Sequence, residues 1–463
     1  MLFSLAFGGV LGAVVAAPTA PPPHTFSAQI ARRVDDVATR VMREHGTPGL
    51  AIGIVEDGRI VYARGFGFAD VRAKRRVTPD TQFYVGQIAE QFTAAALLLL
   101  QQDGKLKLDD RITKYVPELT VAGSATIAQL LEHTAGLPDY RAKDLHFDRA
   151  RSVKLTDLIA AVDKLPPAAP PGKTAVDNKL DYMIAGLIVE RVSGVPLSDY
   201  LQQHIFMPLV MNASFYAGDR GISPSHAVGY TGSPGRFRPT SAWDPAWLFG
   251  SAGLVTDVYD LAKWDIGLPL LLRVDAERTM FTPSGVGGEA PYGLGWIIDQ
   301  RGGKRYMWRN GEIPGYLAMN ALLPDDNIAV IVMENTDRAS SRRVAAPEAI
   351  AASVLDILVP PAAMHVDNAI VSKANEWLVR LADKRIDRTQ LTPAFSKYLT
   401  DALVARENFA ALGKPQALIP VASTPGANGD VTYEFIVRYP HGQWRYKITL
   451  TKDNKIDGLA LEQ

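Results

Sequence analysis

Strand-forming segments stand early and late in the first 360 residues, with helical segments between them, and this order limits the possible folds. The early pair is Leu50 to Glu56 and Arg59 to Gly65, on either side of Asp57-Gly58. An Asp-Gly pair between two such runs is a strong hairpin signal. The late group is Tyr292 to Asp299, Lys304 to Arg309, Leu317 to Leu323 and Ile328 to Glu334. The last two flank Pro324-Asp325-Asp326-Asn327, a turn cluster. Gln91 to Gln102 lies between the groups and is apolar nearly all round, so it predicts a buried helix ending at Asp103-Gly104. Thr126 to Glu132 and Leu180 to Val192 predict further helices. Ser27 to Glu44 carries apolar residues at helical spacing and comes first; Ser341 to Ile357 comes last. The expected class is α+β: one antiparallel sheet with a helical insert.

Val359-Pro360-Pro361 reads as a linker. Beyond it, Ala369 to Ala382 predicts a helix, and Val431 to Pro440, Gln443 to Thr451 and Ile456 to Glu462 predict strands. Residues 365–463 thus form a second, small α+β unit. At the other end, Leu2 to Ala17 is an apolar run of 16 residues. A spanning helix needs about 20. Residues 1–20 therefore read as a signal peptide with its exit near Ala16 or Ala20. No Lys or Arg precedes the run. The reading places the chain in the periplasm or outside the cell. No other segment has the length and apolarity of a membrane span.

Lys+Arg and Asp+Glu both number 49, a balance that points away from nucleic acid as partner. The absence of cysteine excludes disulfides, thiolate metal sites and a cysteine nucleophile. The eight histidines form no His-x-His or His-x-x-x-His pair, so neither a metal site nor a cofactor is expected.

A series of landmarks then narrows the family. Thr47-Pro48-Gly49-Leu50-Ala51 opens it, followed by Val77-Thr78-Pro79-Asp80-Thr81, Gly104-Lys105-Leu106 and Leu130-Leu131-Glu132-His133-Thr134-Ala135-Gly136. Phe206-Met207-Pro208-Leu209, Ser251-Ala252-Gly253-Leu254, Tyr292-Gly293-Leu294-Gly295-Trp296 and Gly311-Glu312-Ile313-Pro314-Gly315 complete it. In this order they resemble the serine β-lactamase and penicillin-binding-protein family, which includes class C β-lactamases, D-Ala-D-Ala carboxypeptidases, D-aminopeptidases and esterases. The resemblance covers about residues 28–357 and implies the β-lactamase/transpeptidase-like fold. The tail resembles, more weakly, the small NTF2-like extensions that follow this domain.

The resemblance implies acyl transfer by a serine, a lysine three residues on and a tyrosine that moves the proton. The flanks of the first motif are Phe83-Tyr84-Val85-Gly86 and Gln91-Phe92-Thr93-Ala94. Between them, without a gap, Gln87 occupies the nucleophile position and Glu90 the lysine position. Pro171-Gly172 and Tyr182-Met183-Ile184-Ala185-Gly186 frame the second motif. There Asp177 takes the tyrosine position and Lys179 that of an asparagine. The third motif reads Arg309-Asn310-Gly311. An amide cannot form an acyl ester, Glu90 reverses the lysine's charge, and Asp177 is far more acidic than a phenol. Loss of the nucleophile alone lowers turnover by on the order of a million-fold.

Glu90 is expected to pair with Lys179 or Arg309, and Asp177 with the other cation. Arg309 has a planar fork that could still hold a ligand carboxylate. His133 is expected to cap or bridge a turn. Trp243, Trp247 and Tyr292 either line a cleft or belong to the core. Two functional readings stand open. In one, the protein is catalytically inactive and its cleft (Gln87, Glu90, Asp177, Lys179, Arg309 and Gly311) is either empty or holds a small-molecule or peptide ligand. In the other, the chemistry is repurposed and Glu90 or Asp177 acts as a general base. An ordinary serine hydrolase with a shifted register is a third reading, against which the ungapped flanks of both motifs argue.

Overall fold

The computed structural model describes residues 26–140, 151–217, 223–240, 243–288, 290–337, 345–360, 364–406, 409–426, 428–439 and 442–462. The expected signal peptide, residues 1–20, and the start of the expected helix at Ser341 lie outside the described residues. Helix α1 (Ala28–His45) is capped by Ser27, whose side chain accepts the Ile30 amide, and ends at Gly46 in the left-handed conformation. The predicted hairpin follows as β1 (Gly49–Glu56) and β2 (Arg59–Asp70), then the short β3 (Arg75–Arg76). The insert contains α2 (Ala89–Gln102), α3 (Lys179–Ser193), α4 (Val258–Leu271) and α5 (Val274–Met280). The chain then returns through β4 (Ile297–Arg301), β5 (Lys304–Ile313), β6 (Tyr316–Leu323) and β7 (Ile328–Glu334), and closes with α6 (Ala346–Leu358).

These strands form one seven-stranded sheet in the order β3-β2-β1-β7-β6-β5-β4. The early hairpin and the late meander meet along β1 and β7, which pair antiparallel from Leu50 opposite Glu334 to Glu56 opposite Ile328. Alternation along the strands divides the core in two. Leu50, Ile52, Met319, Ala321, Val330 and Val332 face α1 and α6. Ala51, Val55, Met307, Ala318, Ile331 and Met333 face the helical insert. Helix α2 is buried along most of its length, as its uniformly apolar sequence predicts.

A third core draws only on residues 374–461. It joins α7 (Asn368–Ala382) to a four-stranded antiparallel sheet of β8 (Ala417–Pro425), β9 (Val431–Tyr439), β10 (Gly442–Leu450) and β11 (Ile456–Glu462). Buried Arg445 on β10 pairs with Glu434 and with Asp356 of α6, which also takes Arg301 at 2.9 Å. The small sheet is thereby tied to the edge of the large one.

Three elements depart from expectation. The predicted strand at Tyr292 begins only at Ile297; Gly295 turns the chain at φ 78°, where an added Cβ would lie 2.7 Å from Gln91 Cα. Strand β8 was hidden by Pro420 and Pro425. It tolerates them because it is an edge strand whose register shifts between Pro420 and Ala422. Helix α4 was hidden by Pro269 near its end, and it starts at the Asp257 cap.

The close approach of β5 to the turn before α2 makes a stringent demand. A Cβ on Gly311 would lie 1.8 Å from the Val85 carbonyl oxygen. Gly311→Ala is expected to destabilise the protein by about 1–3 kcal/mol or more through overpacking. Gly287→Ala, where a Cβ meets nothing within 4 Å, should stay within about 0.5 kcal/mol of the parent. Urea denaturation of both variants provides the measurement.

Candidate functional site

The first and third motif segments meet where α2 begins. A single 3-10 turn (Gly86–Ile88) feeds α2 and lies against β5, so close that an added Cβ on Gly86 would sit 2.4 Å from the Glu312 nitrogen. Gln87 is buried in this turn, and its side-chain carbonyl Oε1 accepts the Glu312 backbone N–H at 2.7 Å. Glu90 lies in the first turn of α2, where the helix dipole favours a carboxylate. It is fully buried and pairs with Nη2 of Arg309, itself 2% exposed. The other arm of the fork, Nη1, pairs with Asp177 Oδ2 at 3.0 Å. Tyr292 lies beneath the fork, 5.8 Å from ring centre to the guanidinium carbon.

The second motif segment enters through the start of α3. Asn178 caps this helix by accepting the Leu180 amide, and its Nδ2 donates to the carbonyls of Leu137 and Pro138 at 3.1 and 3.3 Å. That cap fixes Asp177 on one side and Asp181 on the other. Asp181 Oδ2 meets His133 Nδ1 at 2.9 Å, and His133 Nε2 lies 3.6 Å from Glu90 Oε2. His133 holds a left-handed φ of 56°, a conformation that costs a non-glycine residue about 1–3 kcal/mol unless its surroundings impose it. Here two carboxylates and the rings of Tyr182 and Tyr292 surround it.

Electrostatics locks the cluster. Burial alone would strip the proton from His133, but hydrogen bonds to Asp181 and Glu90 outweigh it and raise the imidazole to about 10. Burial would raise the Asp177 carboxyl, yet the charges of Arg309 and His133 hold it below its ordinary value, with a smaller contribution from Lys179. Burial lifts Asp181 to about 6, against the pull of His133, which leaves it a carboxylate at neutral pH.

Gln87, Glu90, Asp177, Arg309 and Gly311 thus converge as their frames require. Of the expected pairs, Glu90 with Arg309 is present, and the same guanidinium also takes Asp177, whose carboxyl feels the charge of Lys179 as well. Lys179 lies at the margin, with Nζ 5.2 Å from the ring centre of Trp243. Sequence reasoning missed Asp181, and it limited His133 to a turn. Their link spans 48 residues and leaves no spacing signal. Glu90, His133 and Asp177 also offer ligand atoms within 4.8 Å of one another, a grouping that histidine spacing did not anticipate. The donor set does not suit a cation. A guanidinium already bridges both carboxylates, and the imidazole is held protonated, so a metal would meet two positive charges.

Ile313, the residue after Glu312, helps line a cavity of about 190 Å³ together with Tyr84, His226, Trp243 and Tyr316 among others. His226 packs edge-on against both tyrosines. Burial, helped by Arg75, lowers it to about 4 and keeps it neutral. Its Nε2 is buried without a hydrogen-bond partner.

A family model described as β-lactamase matches residues 34–355, most of the chain. The chain belongs to the β-lactamase family. PbpX of Bacillus subtilis (strain 168) is 28% identical over 296 residues, covering 64% of this chain and 72% of that protein. Protein flp of Staphylococcus aureus (strain MW2) is 26% identical over 322 residues, 66% of this chain, which spans 63% of flp. Among solved structures, the octameric penicillin-binding protein homologue from Pyrococcus abyssi superposes with a TM-score of 0.63 at 22% identity. It covers 94% of this chain and 98% of its own, so the likeness in fold extends past the β-lactamase match.

Two predictions follow from the buried cluster in this β-lactamase-family chain. Arg309→Met leaves two carboxylates without their cation and should lower stability by about 3–5 kcal/mol in denaturant titration. The second concerns pH. The pKa of His133 is about 10 in the fold against 6.5 as its ordinary value, so its stabilisation is complete below 6.5 and disappears as pH rises through 10. Stability should therefore fall between pH 7 and 10 in the parent and fall less in His133→Gln.

Proposed function

We propose that this chain is a non-catalytic member of the β-lactamase family that binds an uncharged or aromatic group of a small-molecule or peptide ligand beside a closed charge cluster. The observation that carries the proposal is the Gln87 contact. A carbonyl oxygen belonging to the protein itself sits 2.7 Å from the Glu312 N–H. Backbone donors aimed at a reacting oxygen are what acyl-transfer catalysis requires. Here the donor is already engaged by the side-chain amide of Gln87.

The general-base reading receives less support. Glu90 is closed to solvent and bound to Arg309. Asp177 reaches solvent, but Arg309 and His133 hold it ionised, which makes it a weak base. A role for Arg309 as clamp on a ligand carboxylate is also disfavoured, since both arms of its fork are occupied. Ligand space lies instead in the neighbouring 190 Å³ cavity, whose walls are aromatic and whose histidine is neutral. The apolar run at Leu2 to Ala17 supports a setting outside the cytoplasm.

Incubation with a fluorescent penicillin and with p-nitrophenyl esters is expected to give no covalent adduct and no turnover. A labelled serine, or turnover abolished by one Ser→Ala change, would sink the proposal. Gln87→Ser alone should not restore acylation, because Glu90 and Asp177 still replace the lysine and tyrosine. Phenylalanine amide should raise the melting temperature of the parent, and a Tyr316→Ala variant should lose that shift.

A further inference from the structure

A second cavity, about 350 Å³ in volume, lies at the hairpin end of the large sheet, between α4 and α5 and the strands β1, β5, β6 and β7. Most of its wall is apolar, including Leu268, Phe281 and Met307. Asp265 of α4 interrupts that wall. Its Oδ1 accepts Nδ2 of Asn320 at 2.8 Å, while Oδ2 is buried with no hydrogen-bond partner. A carboxyl oxygen in such surroundings is unfavourable unless a proton or cation reaches it. Glu277 of α5 also lines the cavity. The one cationic residue in the lining, Arg305, pairs with Asp325 at 3.1 Å.

We propose that this cavity is a binding site for a small amphipathic primary amine, whose ammonium group meets the Asp265 carboxyl and whose hydrocarbon chain lies along the apolar wall. The chemistry selects this class. A neutral ligand of the same shape leaves the Asp265 carboxyl without a charge partner. An anion meets two carboxyl groups and a cation already paired. A primary ammonium carries three N–H donors and pairs with the carboxyl in the wall. In the empty cavity, burial raises the Asp265 carboxyl to about 8, partly offset by Asn320, so a proton holds the place an ammonium would take. The charged groups facing it are Glu277 on α5 and Arg305 on β5. None of these residues belongs to the Gln87 and Arg309 cluster, so the inference does not rest on the proposed function.

Titration calorimetry of the full chain with n-hexylammonium, n-hexanol and hexanoate tests it. One saturable hexylammonium site is expected, at least tenfold tighter than hexanol, with hexanoate not binding. Asp265→Asn keeps the shape and the Asn320 contact, and it should weaken hexylammonium at least tenfold while leaving hexanol unchanged. The proposal is overturned if hexylammonium fails to saturate, if hexanol binds as tightly, or if Asp265→Asn binds hexylammonium like the parent. Should that variant fail to fold, the comparison of the three ligands on the parent protein still decides.

Discussion

The buried guanidinium of Arg309 is the element on which the rest of the site depends. It joins α2 through Glu90, the entrance to α3 through Asp177, and the large sheet through β5 itself. Taking such charges out of water is unfavourable, and removing any one partner leaves another uncompensated. The replacements at the motif positions therefore have to be read as a set. Glu90 by itself would be a lone buried anion. With Arg309 opposite, and His133 protonated behind it, the same residue is held on two sides. The cluster is a coherent electrostatic solution.

A general base must be free to take a proton and must touch the group that gives it. Glu90 is closed to solvent and paired with Arg309, and Asp177 is paired with the same guanidinium and held ionised. Gln87 completes the closure from the other side, because its carbonyl occupies a backbone donor on the edge of β5. Tyr84, His226 and Tyr316 line a separate cavity of about 190 Å³.

The large sheet carries a second consequence of alternation. Arg309 and Asn320 stand directly opposite each other on β5 and β6, so their side chains share the face turned toward the helical insert. Asn320 reaches on to Asp265 of α4. A short polar row thus crosses an otherwise apolar surface, from the charge cluster to the second cavity. Each member anchors a different helix: Glu90 belongs to α2, and Asp265 to α4. Polar contacts of this kind set the seating of helices on a sheet more narrowly than interchangeable apolar contacts can, since each has a single partner with the right geometry.

How far the sequence reveals this depends on whether the signal is local. The Asp57-Gly58 hairpin, the helix α3 and the uniformly apolar α2 are written in neighbouring residues, and they form as read. The convergence of Gln87, Glu90, Asp177 and Arg309 was legible only through the family frame, because 219 residues separate Glu90 from Arg309. Charge alone could not divide the pairs: two anions and two cations allow several pairings, and the fork of Arg309 meets both anions at once. Asp181 and Asp265 left no trace. In α3 and α4 each reads as an ordinary acidic residue, and only the packing of a helix against His133 or Asn320 gives it a partner. The edge strand β8 illustrates the same limit from the other direction. Its prolines argue against a strand until the sheet shows that the affected positions lie at an edge and a register shift, where a missing N–H removes no necessary bond.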